Sequence, residues 1–148
     1  MSTSLSKYRN PELLEQYARE TGGRCELWRH LPHEDRVEIR RMQKTNLRKP
    51  PEIHHIWHRS RYRIDTRSNI VRAGYVPHQI WGHNKYPIKL TIVSLYAKWY
   101  KNDPAEFNLT ELREAAGQCP IAWLGRQMGR YEEGSEWWKM CFEMIEFE

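Results

Sequence analysis

The sequence has few cysteines and no long apolar run. Its three cysteines, Cys25, Cys119 and Cys141, lie far apart and form no CxxC pair, which argues against a cysteine zinc knuckle. No apolar run approaches the roughly 18 residues that span a membrane, and the first residues lack the apolar core of a signal peptide. We therefore expect a cytoplasmic, intracellular protein with reduced thiols and no membrane contact.

The length and the charge distribution set further bounds. The 148 residues fit a single domain, with a basic helical part at 1–49, a central part at 50–101 and a helical part at 102–148. Residues 1–74 carry 16 Lys and Arg against nine Asp and Glu, whereas residues 75–148 carry eight against ten. The positive excess in the first half suits phosphate contacts, and such charge supplies affinity but no chemistry.

Capping residues and helix breakers divide the chain into helices and two short strands. We predict helices at 11–22, 33–46 and 88–102, from Asn108 onward, at 118–129 and after residue 135. Short strands are predicted at 52–57 and 69–73, with a polar loop at 59–68 between them. A further helix opens at Pro77, carries His78 on its first turn and is interrupted by Gly82. This order indicates an α+β domain that is mostly helical.

Five of the seven histidines fall between residues 51 and 83, interleaved with arginines. They are His54, His55, His58, His78 and His83. Imidazoles bind divalent metals and move protons near neutral pH, and guanidinium groups bind phosphates. Adjacent strand residues point to opposite faces, so His54 can bind a metal ion while its neighbour His55 faces a water molecule. The helix that carries His78 can complete the metal site, and Asn69 can hold the loop and orient His55.

The spacing of these residues resembles that of the HNH endonucleases, which belong to the ββα-metal (His-Me finger) superfamily. The similarity rests on His54-His55, on Asn69 fourteen residues after His55 and on His78 nine residues later. It covers residues 50–90 and implies a ββα-metal core embedded between flanking α-helices. In that core, His54 and His78 are metal ligands, His55 is the general base, and Asn69 holds the loop and orients the base.

The resemblance also implies a reaction and a cofactor. The reaction is hydrolysis of a DNA phosphodiester bond by an activated water molecule, which leaves a 5′-phosphate and a 3′-hydroxyl. The cofactor is one divalent metal ion, usually Mg²⁺, although Mn²⁺, Ni²⁺ or Zn²⁺ can occupy such a site.

The match departs from the family pattern at the end of the helix. Many members place a His or Asn four residues after the helical histidine, where this chain has Gly82, and His83 follows one residue later. On an α-helix, five residues turn about 140° away from the first. We therefore expect His83 to be a third ligand only if the helix ends at Gly82. The chain also lacks the CxxC pairs with which many members bind a structural zinc.

Basic residues on both sides of the histidines are candidates for DNA contacts. They are Arg59, Arg61, Arg63 and Arg67 in the loop, and Arg40, Arg41 and Lys44 on the preceding helix. Such contacts with phosphates position a protein on DNA without reading its sequence. The alternative for the loop is a solvated segment with one salt bridge to Asp65.

Other interpretations of the same residues remain open. The unit can be a noncatalytic nucleic-acid-binding or partner-binding protein on an HNH-like scaffold, or the histidines can be purely structural. The spacing His54-x3-His58 resembles half of a metalloprotease motif, but that motif needs a Glu where this chain has His55.

The last predicted helix is acidic and aromatic. Trp138, Cys141, Phe142 and Ile145 share one face of it, and Trp123, Trp137, Trp138 and Phe142 are predicted to lie in the core. The same helix is a candidate surface for a homodimer or a protein partner.

Overall fold

The computed structural model describes residues 9–43, 49–59 and 62–146, and in these ranges helices predominate over two small antiparallel strand pairs. The helices are α1 (Pro11–Thr21), α2 (His33–Gln43), α3 (Pro87–Tyr100), α4 (Leu109–Ala116), α5 (Pro120–Met128) and α6 (Glu136–Glu146). The strands are β1 (Glu52–His55), β2 (His58–Arg59), β3 (Tyr62–Arg63) and β4 (Ile70–Ala73). This arrangement confirms the predicted α+β class. Each helix in this part of the chain is too short or too polar to cross a bilayer.

The predicted capping residues define the ends of two helices. The side chain of Asn10 accepts a hydrogen bond from the Leu13 amide at 3.1 Å, and α1 begins at the next residue, Pro11. Asn108 caps α4 in the same way, and Gly117 ends that helix in the left-handed conformation with φ of 70°. The sequence therefore predicted the starts of both helices, and the end of α1 at Gly22, to within about a residue.

Two strand pairs support the histidine region. β1 pairs antiparallel with β4, and His54 lies opposite Val71 in the register. β2 and β3 form a short hairpin in which His58 lies opposite Arg63. The prediction of a polar loop at 59–68 is therefore wrong in part, because β2, β3 and a 3-10 turn at Arg67–Asn69 occupy much of it, and of its described residues only 64–66 lie between elements.

A π-helix follows β4 and spans Val76–His83, where the sequence predicts a helix interrupted at Gly82. Hydrogen bonds in a π-helix join residues i and i+5, so residues five apart share a face. At its end, the Tyr86 amide donates to the carbonyl oxygen of Trp81, five residues earlier, at 3.0 Å. The wider turn decides where the last histidine of the cluster points.

The apolar core lies among α2, α3, α5, α6 and the π-helix, and it corrects the predicted face of α6. The buried residues of α6 are Trp137, Met140, Cys141 and Met144. Phe142 is 39% exposed, and its ring stacks on that of the half-buried Trp138 at 5.0 Å between centroids. The sequence carries two apolar stripes at helical spacing, one residue out of step, and only packing against α3 and α5 selects between them.

Candidate metal centre

All five histidines of the sequence cluster line one open cleft of about 340 Å³. Glu52 and Arg63 line it as well. β1 delivers His54 and His55, although adjacent residues of a regular strand point to opposite faces. β1 ends at His55 and the chain bends at Ile56, which lets both imidazoles reach the same cleft.

His54, His78 and His83 form a cluster with the geometry of a metal site. One ring nitrogen from each lies within 4.8 Å of the others. The ring centroids are 4.5 Å apart for His54 and His78, 5.2 Å for His54 and His83, and 4.7 Å for His78 and His83. His83 reaches the cluster although the helix does not end at Gly82, because the segment is a π-helix and not an α-helix.

The protonation states of these imidazoles suit metal binding. Burial, followed by the neighbouring rings of His78 and His83, holds the pKa of His54 well below its usual value. Burial also lowers the pKa of His78 and that of His83, although Glu52 opposes the shift at both. Neutral imidazoles have the free lone pair that a metal ion requires.

Two ring nitrogens of the cluster, one on His54 and one on His78, are available to bind an ion. Nε2 of His54 is buried and has no hydrogen-bond partner among the described residues. A buried nitrogen without a partner is costly, and a metal ion would satisfy it. Nδ1 of His78 lies 3.0 Å from Oε1 of Glu52, so the ring donates there and its Nε2 remains free for an ion. The donor set therefore fits a divalent metal ion.

Glu52 is a site residue that the sequence analysis missed. It precedes His54 by two positions on β1, and residues two apart on a strand share a face. Its carboxylate also accepts a hydrogen bond from Gln79 on the π-helix, at 3.1 Å. Strand periodicity alone could therefore have placed this carboxylate beside the metal ligands.

His55 and Asn69 have different hydrogen-bond partners. Nε2 of His55 lies 2.7 Å from Oδ1 of Asp65, and both side chains are buried. The Asn69 side chain instead holds the loop backbone: it accepts from the Trp57 amide at 2.9 Å and donates to the carbonyl oxygens of Trp57 and Ile64 at 2.9 and 3.0 Å. The partner of His55 is thus Asp65, which the sequence analysis had considered only as a salt-bridge partner for the loop arginines.

The predicted DNA-contacting residues lie in different parts of the structure. Arg63 is exposed and lines the cleft, and Arg40 and Arg41 are exposed on α2. Arg40 also places its guanidinium 5.2 Å from the Trp28 ring. Lys44, Arg61 and the side chain of Arg59 lie outside the described residues.

Arg67 is predicted to contact DNA, but it does not line the cleft. Its guanidinium pairs with Glu20 and Glu106 in an ion network that is partly buried. Glu106 also accepts hydrogen bonds from Lys98 and Lys101, each at 2.7 Å. This network holds the turn that leads into Asn69, so the structure gives Arg67 a structural role.

The metalloprotease interpretation is not supported by the local structure. His54 and His58 lie on strands, whereas that motif places its two histidines on one turn of a helix. His58 is exposed, and its ring centroid is 6.2 Å from that of His55.

Comparison with known proteins assigns the chain to no family. No family model, no curated protein and no solved structure matches it.

Proposed function

We propose that the protein is a metal-dependent endonuclease of the HNH type that hydrolyses DNA phosphodiester bonds. The observation that carries the proposal is the convergence of a three-histidine donor set and a fourth, carboxylate-paired histidine on one open cleft. Phosphodiester hydrolysis needs a cation beside the phosphate and a base beside the water molecule. The cleft offers a candidate for each role.

The donor set favours a transition-metal ion over Mg²⁺. Mg²⁺ prefers oxygen ligands and retains several water molecules, whereas imidazoles suit ions such as Zn²⁺ and Ni²⁺. His54, His78 and His83 would hold the ion, and Glu52 would orient His78 through Nδ1. When bound, such an ion supplies positive charge that stabilises the transition state and the departing 3′ oxygen.

His55 is the candidate general base. It is not one of the three clustered donors, and it lines the same cleft. A neutral imidazole accepts a proton from water, and the resulting imidazolium is stabilised by the neighbouring Asp65 carboxylate. Asn69 fixes the loop that joins β1 to Asp65. The products expected from this chemistry carry a 5′-phosphate and a 3′-hydroxyl.

DNA would bind mainly through its backbone. Arg63 lies in the cleft itself, and its guanidinium would hold a phosphate beside the metal ligands. Arg40 and Arg41 offer further positive charge on α2. Contacts of this kind predict an affinity that falls steeply with salt concentration and depends little on sequence.

The test is cleavage of supercoiled plasmid by the full chain with Zn²⁺, Ni²⁺, Mn²⁺ or Mg²⁺, run in parallel on single-stranded DNA and RNA. His55→Ala should lower the cleavage rate by about 10²–10⁴-fold, as expected for loss of a general base, while metal binding by calorimetry is retained. His33→Ala is the matched control, because His33 is exposed at the start of α2 and outside the histidine cleft.

Two results would reject the nuclease. One is a wild-type protein that binds DNA but cleaves none of these substrates with any ion, which would indicate a noncatalytic binding protein. The other is metal-dependent cleavage that persists unchanged in His55→Ala.

A further inference from the structure

We propose that Asp65 is a positioning residue that holds the proton of His55 on Nε2 and leaves Nδ1 as the nitrogen that accepts a proton. This inference rests on the proposed function, since it names what prepares the base of that reaction. It concerns a tautomer, which can be measured whether or not cleavage is observed.

The contact itself specifies the tautomer. Nε2 of His55 lies 2.7 Å from Oδ1 of Asp65, and the two side chains are only 7% and 8% exposed. An ionised carboxylate can only accept hydrogen bonds, so the hydrogen between these atoms belongs to Nε2. In the neutral ring, Nδ1 then carries the free lone pair.

The second oxygen of Asp65 is held equally firmly. Oδ2 accepts a hydrogen bond from the backbone amide of Asn10 at 2.8 Å. Asn10 is itself fixed, because its side chain caps α1. The neighbouring residue Ile64 is fully buried, and its carbonyl oxygen accepts a hydrogen bond from Asn69 at 3.0 Å. The carboxylate is therefore held at both oxygens and through the backbone before it.

Because the Asn10 amide is fixed, Asp65→Asn is expected to change the tautomer of His55. A backbone N–H can only donate, so the carbonyl oxygen of the new side chain should face Asn10. The amide NH₂ must then face His55 and donate to Nε2. The imidazole proton is thereby moved to Nδ1, and the ring presents the wrong nitrogen to water. The variant that changes the shape least should therefore impair the base most.

Asp65→Ala removes the acceptor that faces Nε2 of His55 without placing a donor there. His55 then exchanges between its two neutral tautomers, and part of the population retains a free Nδ1. We expect the cleavage turnover to fall in the order wild type, Asp65→Ala, Asp65→Asn. A loss on the order of 10³–10⁴-fold is expected for Asp65→Asn, as for other enzymes in which an asparagine imposes the wrong histidine tautomer. KM should change little, because Asp65 contacts His55 and not the substrate.

The experiment combines ¹⁵N NMR of the histidine rings with cleavage kinetics on the full chain. At alkaline pH, wild-type His55 should show a protonated Nε2, and Asp65→Asn a protonated Nδ1. Asp103→Asn is the matched control, because Asp103 also accepts a backbone amide, that of Ala105 at 2.9 Å, but lies in an exposed turn. It should leave both the His55 tautomer and the turnover unchanged.

The outcomes separate a positioning role from a purely structural one. If Asp65 only supported the loop, the isosteric asparagine would impair turnover less than alanine, and Asp65→Asn would be faster than Asp65→Ala. That order of turnover, or an Asp65→Asn protein that keeps its proton on Nε2, would overturn the proposal. If wild type cleaves nothing, the nuclease proposal fails, and the NMR tautomers still decide the role of Asp65. If Asp65→Ala does not fold, the Asp65→Asn spectrum decides it alone.

Discussion

Replacing Gly82 by alanine would test whether the π-helical turn builds the three-histidine cluster. A Cβ at this position would lie 2.7 Å from Cδ2 of Leu90 and 2.8 Å from the carbonyl oxygen of Pro77. The end of the leucine side chain can rotate away, but Cβ of Leu90, at 3.0 Å, and the Pro77 carbonyl move only with the backbone. The turn itself must therefore shift, and it carries His78 and His83 on either side of the contact.

The expected cost follows from the size of this clash. Forcing an additional carbon into a packed site costs about 1–3 kcal/mol in free energy of unfolding. For a chain of this size, each kcal/mol lowers Tm by roughly 2–4 °C. Moving His83 also removes a donor, so the affinity for Zn²⁺ should fall at least about tenfold, the lower end of the loss seen when only a ligand's supporting residue is removed.

Gly125→Ala is the matched control for this substitution. Gly125 lies in α5, where a Cβ would meet no atom within 4 Å. Alanine in an open helix interior should stabilise the protein by about 0.5–1 kcal/mol relative to glycine. The same chemical change is thus expected to have opposite signs at the two positions.

Urea denaturation of the apo protein and calorimetric titration with Zn²⁺ measure both effects. The reasoning is refuted if Gly82→Ala unfolds at the wild-type urea concentration and binds Zn²⁺ with wild-type affinity. A variant that loses stability but keeps its affinity would show that the shift of the turn does not displace the histidine donors.

Three further predictions concern buried groups. Glu106→Ala should destabilise the protein by about 3–5 kcal/mol in urea denaturation, because it removes the carboxylate partner of the fully buried Lys98. The double variant with Lys98→Met should recover most of that loss. Burial raises the pKa of Glu106, but hydrogen bonds from Lys101 and Lys98 outweigh it and lower that pKa to about 2. Its contribution to stability should therefore be complete above about pH 4.5 and disappear as the pH falls toward 2, and acid unfolding of Glu106→Gln should lack this component. His54→Leu removes a buried nitrogen without a partner, so the apo protein should melt no lower than wild type, while Zn²⁺ should no longer raise its Tm as it does for wild type. A lower Tm of apo His54→Leu would indicate that the nitrogen is satisfied without metal.

Much of the secondary structure follows from local signals. Asn10 and Asn108 cap their helices because a side-chain oxygen can satisfy an amide of the first turn wherever the rest of the chain lies. The antiparallel pairing of β1 with β4 follows from two short β-competent segments with turn residues between them. With the helix after β4, this order was enough to predict that His54 and His78 come close together.

The sequence by itself determined the α+β class and most helix boundaries, because capping residues act on their own first turn. It also determined the proximity of His54 and His78, because the order of two pairing strands and a following helix folds the chain back on itself. Tertiary structure decided the rest. His83 joins the cluster because a π-helical turn replaces an α-helical one, which packing of Gly82 against Leu90 permits. His55 pairs with Asp65 because the start of α1 and the β2–β3 hairpin converge there. Such choices depend on how whole elements pack against one another, as when the Asn10 amide reaches Asp65 across 55 residues, and no local pattern of residues encodes them.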